Sequence, residues 1–225
     1  MEQESVDKAL VAAAMTLAEE RGWASVSVVE SARRAGLPLT IVRQRFPSQT
    51  SILLCLGCLA DENALDDTLS CHALSDDTQT DGDQRRDRLF DMIMRRLDVF
   101  QRYRKGVRAV LQALPFNPLQ AALLGKATAE SMCWIAEAAG LDTSGVAGMA
   151  RVTALVALWT HVVRVWEKDE NADMESTMAA LEQALDKGVQ WGLLSGGFSE
   201  VFSQASVQKK ATQETQEDDL QKEVF

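Results

Sequence analysis

The chain has 225 residues, 46% of them hydrophobic and 25% charged, enough to bury a sizeable core as one large unit or two small ones. Four prolines and thirteen glycines leave long stretches without a breaker, which favours helices over a many-turned β fold. The formal net charge of −10 repels nucleic acid at long range, so any nucleic-acid contact must come from a local arrangement of cations. The N-terminus Met1-Glu2-Gln3-Glu4 is acidic where a secretory leader is basic, and the longest unbroken apolar run, Ile52 to Ala60, is too short for a membrane span. A cytoplasmic chain with no integral membrane segment is the expectation.

A first helix is expected from Val6 to Arg21, with Leu10, Ala14, Leu17 and Ala18 on one face, stopped by Gly22 and followed by an anchoring Trp23. Ser27 and Glu30 have the spacing of a reciprocal capping box and open a short second helix that ends at Ala35 and Gly36. Pro38 opens a third helix carrying Leu39 to Phe46. Pro47 closes it, and Ser48 caps a fourth helix from Gln49 to Leu65. Residues 61–83 hold acids and no bases, and 68–84 reads as a polar loop. Asp77 to Gly82 resembles part of a calcium loop, but Arg88 stands where the bidentate glutamate belongs, so calcium is rejected. Five more helices follow, at 84–101, 104–114, 119–139, 146–168 and 173–195, with breaks at Pro115 to Pro118 and at Gly140 to Gly145. The tail from Gly196 to Phe225 is polar, although Phe198, Val201, Phe202 and Ala205 have helical spacing.

Two short helices joined by a glycine turn and packed on a first helix make a helix-turn-helix. The pieces Ala18-Glu19-Glu20-Arg21-Gly22-Trp23, Ser27-Val28, Ala32-Arg33-Arg34-Ala35-Gly36-Leu37, Phe46-Pro47-Ser48 and Ile52-Leu53 together resemble the signature of the TetR family of transcriptional regulators. The resemblance implies an all-α fold with a helix-turn-helix head at 1–48, a helical ligand-binding and dimerisation domain at 49–195, and a tail at 196–225. It also implies a homodimer that binds double-stranded operator DNA, acts as a repressor and responds to an apolar small molecule. The chain departs from the family pattern. Pro38-Leu39 replaces a polar pair, Arg43 and Arg45 replace aromatics, Gln49 follows Phe-Pro-Ser where a lysine is common, and acids begin the first helix.

For DNA, the candidate residues are Ser27, Thr40, Arg43, Gln44, Arg45 and Ser48. Arginine can bond guanine and glutamine can bond adenine in the major groove, while helix N-termini at the two serines offer amides to phosphate. Arg33 and Arg34 could add charge. Methionines and tryptophans fill adaptable apolar volumes, so Met92, Phe100, Met132, Trp134, Trp159 and Val163 are the expected pocket residues. Leu155, Leu158 and Val162, with Met178, Leu181 and Leu185, are the expected dimer stripes of a four-helix bundle. The arginines at 85, 86, 88, 95 and 96 read as a solvated face.

No phosphate loop, nucleophile elbow or metal-binding His-Glu pair is present, so neither an enzyme nor a cofactor is expected. Cys55, Cys58, Cys71 and His72 could close a zinc tetrahedron, but Cys55 and Cys58 sit in a leucine-rich helix where cysteine is a small hydrophobe. His161 reads as a core or interface histidine. A second resemblance, across Arg85 to Pro118 and Asp173 to Trp191, is to lipid-binding accessory proteins of ubiquinone biosynthesis, which share the fold. It implies the alternative of an isoprenoid or lipid binder that no longer binds DNA.

Overall fold

The computed structural model describes residues 2–66, 81–171 and 173–192. The described residues form α-helices and short 3-10 turns and contain no strand. In chain order the helices are α1 (Glu2–Arg21), α2 (Val28–Arg34), α3 (Leu39–Arg45), α4 (Gln49–Leu65), α5 (Asp81–Arg102), α6 (Arg104–Ala113), α7 (Pro118–Ala138), α8 (Gly145–Lys168) and α9 (Glu175–Gln190). The expected Cys71-His72 half of a zinc site, most of the acidic loop with its calcium-like stretch, and the tail with its Phe198 to Ala205 pattern lie outside the described residues.

The head forms as its punctuation dictates. Gly22 takes φ +80 and Gly36 takes φ +67, left-handed values that glycine reaches without a Cβ penalty, so each turns the chain sharply after a helix. Trp23, 2% exposed, sits in a 3-10 turn between them and fills the space under α1. One expectation fails here. Ser27 is the N-cap of α2 but makes no side-chain cap. Glu30 turns away to Arg21 at 2.7 Å, so an ion pair with α1 replaces the capping box. The next cap does form: the Ser48 hydroxyl accepts from the Ser51 amide, and the Ser51 hydroxyl accepts from the Ser48 amide.

Helix α4 joins head to body. Its first turn belongs to the head, while Ile52, Leu53, Leu56, Ala60 and Ala64 are buried along it as it packs on α5 and α7. Helix α1 also packs on α6, so one hydrophobic cluster runs from Leu10 to Leu185. At the α1–α6 crossing the backbones nearly touch, and a Cβ added at Gly106 would lie 2.5 Å from the Met15 carbonyl oxygen. A polar relay reinforces the junction. The Trp23 indole donates to Gln120 at the start of α7, Gln120 donates to Thr50, and Gln49 donates to the Trp23 carbonyl.

Helix α8 packs on α7 and α9. Among the described residues it is the one helix long and apolar enough, by length and composition, to cross a membrane, although only 33% of its most apolar window is buried. Its apolar residues are interrupted by polar ones, so the longest unbroken run in the sequence lies elsewhere. The expected dimer stripes need correction. Leu155, Val162, Leu181 and Leu185 are buried within the single chain, where they hold α8 and α9 to the protomer's own core. Only Leu158 and Met178 of that set are partly exposed.

Candidate functional site

The outer face of the head is a short helix with few constraints on its side chains. In α3 only Val42 is buried, locking the helix onto the head, and Phe46 is buried just after it. Thr40, Arg43 and Gln44 are exposed, and their i, i+3, i+4 spacing puts them on one face. Leu39 and Ile41 are 43% exposed each, so the same helix also offers apolar surface. Ser27 and Ser48 are exposed at the starts of α2 and α4.

The arginines of the head are not equally available. Arg45 turns back to Asp7 of α1 at 2.5 Å. Arg34 grips Glu20 through both terminal nitrogens, and Arg21 holds Glu30. The Glu20 carboxyl sits below its ordinary value because Arg34 donates to it. Among the described residues Arg43 has no carboxylate partner; its guanidinium lies 3.4 Å from the Pro47 carbonyl.

Below the head, α4, α5, α6, α7 and α8 line a half-open cavity of about 480 Å³, within the range usual for small-molecule sites. Four of the expected pocket residues, Phe100, Trp134, Trp159 and Val163, line it. Met92 and Met132 do not: they are 3% and 0% exposed and belong to the solid core behind the wall. Phe100 meets Trp159 edge-on with ring centres 5.6 Å apart, and Leu53, Leu56 and Val110 complete much of the apolar wall.

One part of the wall is polar. Arg96, 3% exposed, donates through Nη1 to Asp61 Oδ1, and its guanidinium lies 4.7 Å from the Trp159 ring centre. The Ser131 hydroxyl donates to Asp61 Oδ2 at 2.5 Å. Arg96 Nε is buried without an acceptor. Burial pushes the Asp61 carboxyl above its ordinary value despite Arg96 and Ser131, and it lowers Arg96 despite Asp61. The expected solvated arginine face is therefore wrong at Arg96. The signal was present: Leu89, Met92, Ile93, Arg96 and Phe100 share helical spacing, which places the arginine on the apolar stripe. Asp61 gave less warning, because it opens the acidic run.

Cys58 also borders the cavity, and Cys55 lies in the same helix. Burial pushes the Cys55 thiol up to about 12, which fits a packed thiol rather than a reactive thiolate; Cys58 is exposed, contrary to expectation, although desolvation and the neighbouring Asp61 raise its thiol too. Among the described residues no group of His, Cys, Asp and Glu could hold a metal ion. His161 is exposed on α8, not in the core.

No protein-family model and no curated protein sequence matches the chain. Solved structures do. The TetR transcriptional regulator from Nitrosomonas europaea superposes with a TM-score of 0.62 at 19% identity, over 82% of this chain and 98% of that one. A TetR transcriptional regulator from Rhodococcus superposes with a TM-score of 0.51, also at 19% identity, over 87% of this chain and 99% of that one. The all-α TetR fold is thus shared over most of the chain.

Proposed function

We propose that this chain is a ligand-responsive, DNA-binding transcriptional regulator, a repressor acting as a homodimer in the cytoplasm, rather than an enzyme. The observation that carries this reading is α3: a helix held by Val42 and Phe46 that turns Thr40, Arg43 and Gln44 together into solvent. Those side chains supply a guanine reader, an adenine reader and a small hydroxyl, and the exposed Leu39 and Ile41 can meet thymine methyls. Ser27 and Ser48 would place backbone amides near phosphate on either side. Similarity in fold to two solved structures named as TetR regulators supports the same reading.

The dimer would use the outward face of α8, not the buried stripe expected from sequence. Val146 and Met149 are 73% and 67% exposed, and the small residues Thr153 and Ala157 continue that face. Leu158 of α8 and Met178 of α9 are partly exposed as well. Two such faces about a two-fold axis would bury apolar surface that one protomer leaves in water. An apolar ligand in the cavity would press on α4, and α4 carries the head, so filling the cavity would shift the balance between two spacings of the heads.

A second reading is favoured by the ion pairs. With Arg21, Arg34 and Arg45 closed onto carboxylates of the head, the cations available to phosphate are few, as in a lipid or isoprenoid binder that has given up DNA. A gel shift with DNA from upstream of the protein's own gene, at low salt, separates the two. The regulator reading expects a discrete shift. Absence of a shift, together with an isoprenoid or phospholipid extracted from the purified protein, supports the second.

A further inference from the structure

We propose that the cavity takes an uncharged apolar molecule carrying a carbonyl oxygen, which accepts a hydrogen bond from Arg96. This deepens the proposed ligand-responsive reading and rests on it. The cavity wall is mostly apolar; its polar side chains are Arg96, Asp61 and Ser131, which meet at one spot, with Thr128 and Glu130 also on the lining. A guanidinium has five N–H donors, and Arg96 is almost wholly buried. Among the described residues only Nη1 is engaged, by Asp61, and Nε is too deeply buried for a ligand to reach, so Nη2 is the donor left for an acceptor in the cavity. A buried donor left unmade is costly, so an acceptor brought by a ligand would be worth more here than on a surface.

The charge balance selects the kind of acceptor. Asp61 already neutralises Arg96, and Glu130 lies at the exposed edge of the cavity, paired with Lys126 at 2.6 Å. A carboxylate ligand would place another anion beside Asp61, whose charge already balances that of Arg96. A ketone, ester, lactone or quinone oxygen needs only the donor and leaves the Arg96–Asp61 pair intact. Phe100, Trp159 and the leucines then take the remainder of the molecule.

Three probes of equal length test this on the full chain: octyl methyl ketone, decane and decanoic acid, each read by displacement of N-phenylnaphthylamine and by titration calorimetry at neutral pH. The ketone is expected to bind about tenfold tighter than either of the others. Arg96→Met removes every donor at that position and should erase the ketone's advantage over decane while leaving decane binding in place. Because a single change can expose Asp61 unpaired, the double variant Arg96→Met with Asp61→Leu provides an apolar replacement of the pair. It too should bind ketone and alkane alike. Decanoate binding tightest, a ketone preference that survives both variants, or no displacement by any probe would each overturn the proposal. None of these readouts involves DNA, so failure of operator binding would sink the regulator reading without touching this result.

Discussion

The head and the body each hold an arginine against an aspartate, and the two pairs differ in setting. Arg45 and Asp7 keep 35% and 18% of their side-chain surface in the head, whereas Arg96 and Asp61 keep 3% and 23% in the cavity wall. The Arg45 guanidinium is partly in water, so it can turn toward a phosphate, but the move leaves Asp7, whose Oδ1 is buried with no partner among the described residues, without its cation. A pair with a buried guanidinium is not exchangeable: removing either partner strands a charge. The same residue types thus make a surface that can be re-partnered and an interior fixed donor that can only be added to.

The largest expected effect breaks the buried pair. Arg96→Ala should cost about 3–5 kcal/mol in urea unfolding, the usual price of stranding a buried charge, whereas the paired apolar double variant should recover most of it. If the single change is harmless, the two pairs are alike and the contrast fails.

The next effects lie at the head and its seam with the body. Arg43→Ala should weaken specific DNA binding by about 1–3 kcal/mol in fluorescence anisotropy, since no carboxylate among the described residues competes for that guanidinium. Gly106→Ala should destabilise by about 1–3 kcal/mol in thermal unfolding, because the new methyl meets Met15 backbone and not a flexible side chain.

Breaking the head's pair should be the mild counterpart. Asp7→Asn should change stability by less than about 1 kcal/mol and strengthen DNA binding, with a salt dependence steeper by about one unit as Arg45 becomes available. A loss of DNA binding in that variant would mean that the pair positions Arg45 instead of occupying it.

The smallest effect appears only in acid. Burial raises Asp169, but the Thr177 hydroxyl and amide, each at 2.9 Å, outweigh it and hold the carboxyl below its ordinary value. A depressed carboxylate adds stability that is present above its unfolded pKa and is lost as pH falls through its folded one. Asp169→Asn should therefore flatten the acid limb of a stability-against-pH curve and leave its neutral part nearly level.

What the sequence made legible follows the strength of local signals. Helix α4 and the breaks around it were readable because Pro47, Ser48, Gly22 and Gly36 act within a few residues of themselves. The Ser27–Glu30 box was misread because Glu30 had a competitor, Arg21, that only the folded head brings near. In the α8 and α9 stripes Leu155, Val162, Leu181 and Leu185 are buried against their own chain; periodicity says which face is buried and not whether it is buried against its own chain or a copy. Met92 and Met132 failed as pocket residues for the same reason: a large side chain marks apolar volume, filled or empty. Asp61, Ser131 and Arg96 come from three helices, and no spacing along the chain brings them together.

The most direct test of the account is a footprint on DNA upstream of the gene, comparing the wild-type chain with a variant changed at Arg43 and Gln44 to alanine. The account predicts two protected half-sites separated by about one helical turn or a multiple of it, lost in the variant. No protection by the wild-type chain, or protection that the variant reproduces unchanged, would contradict it.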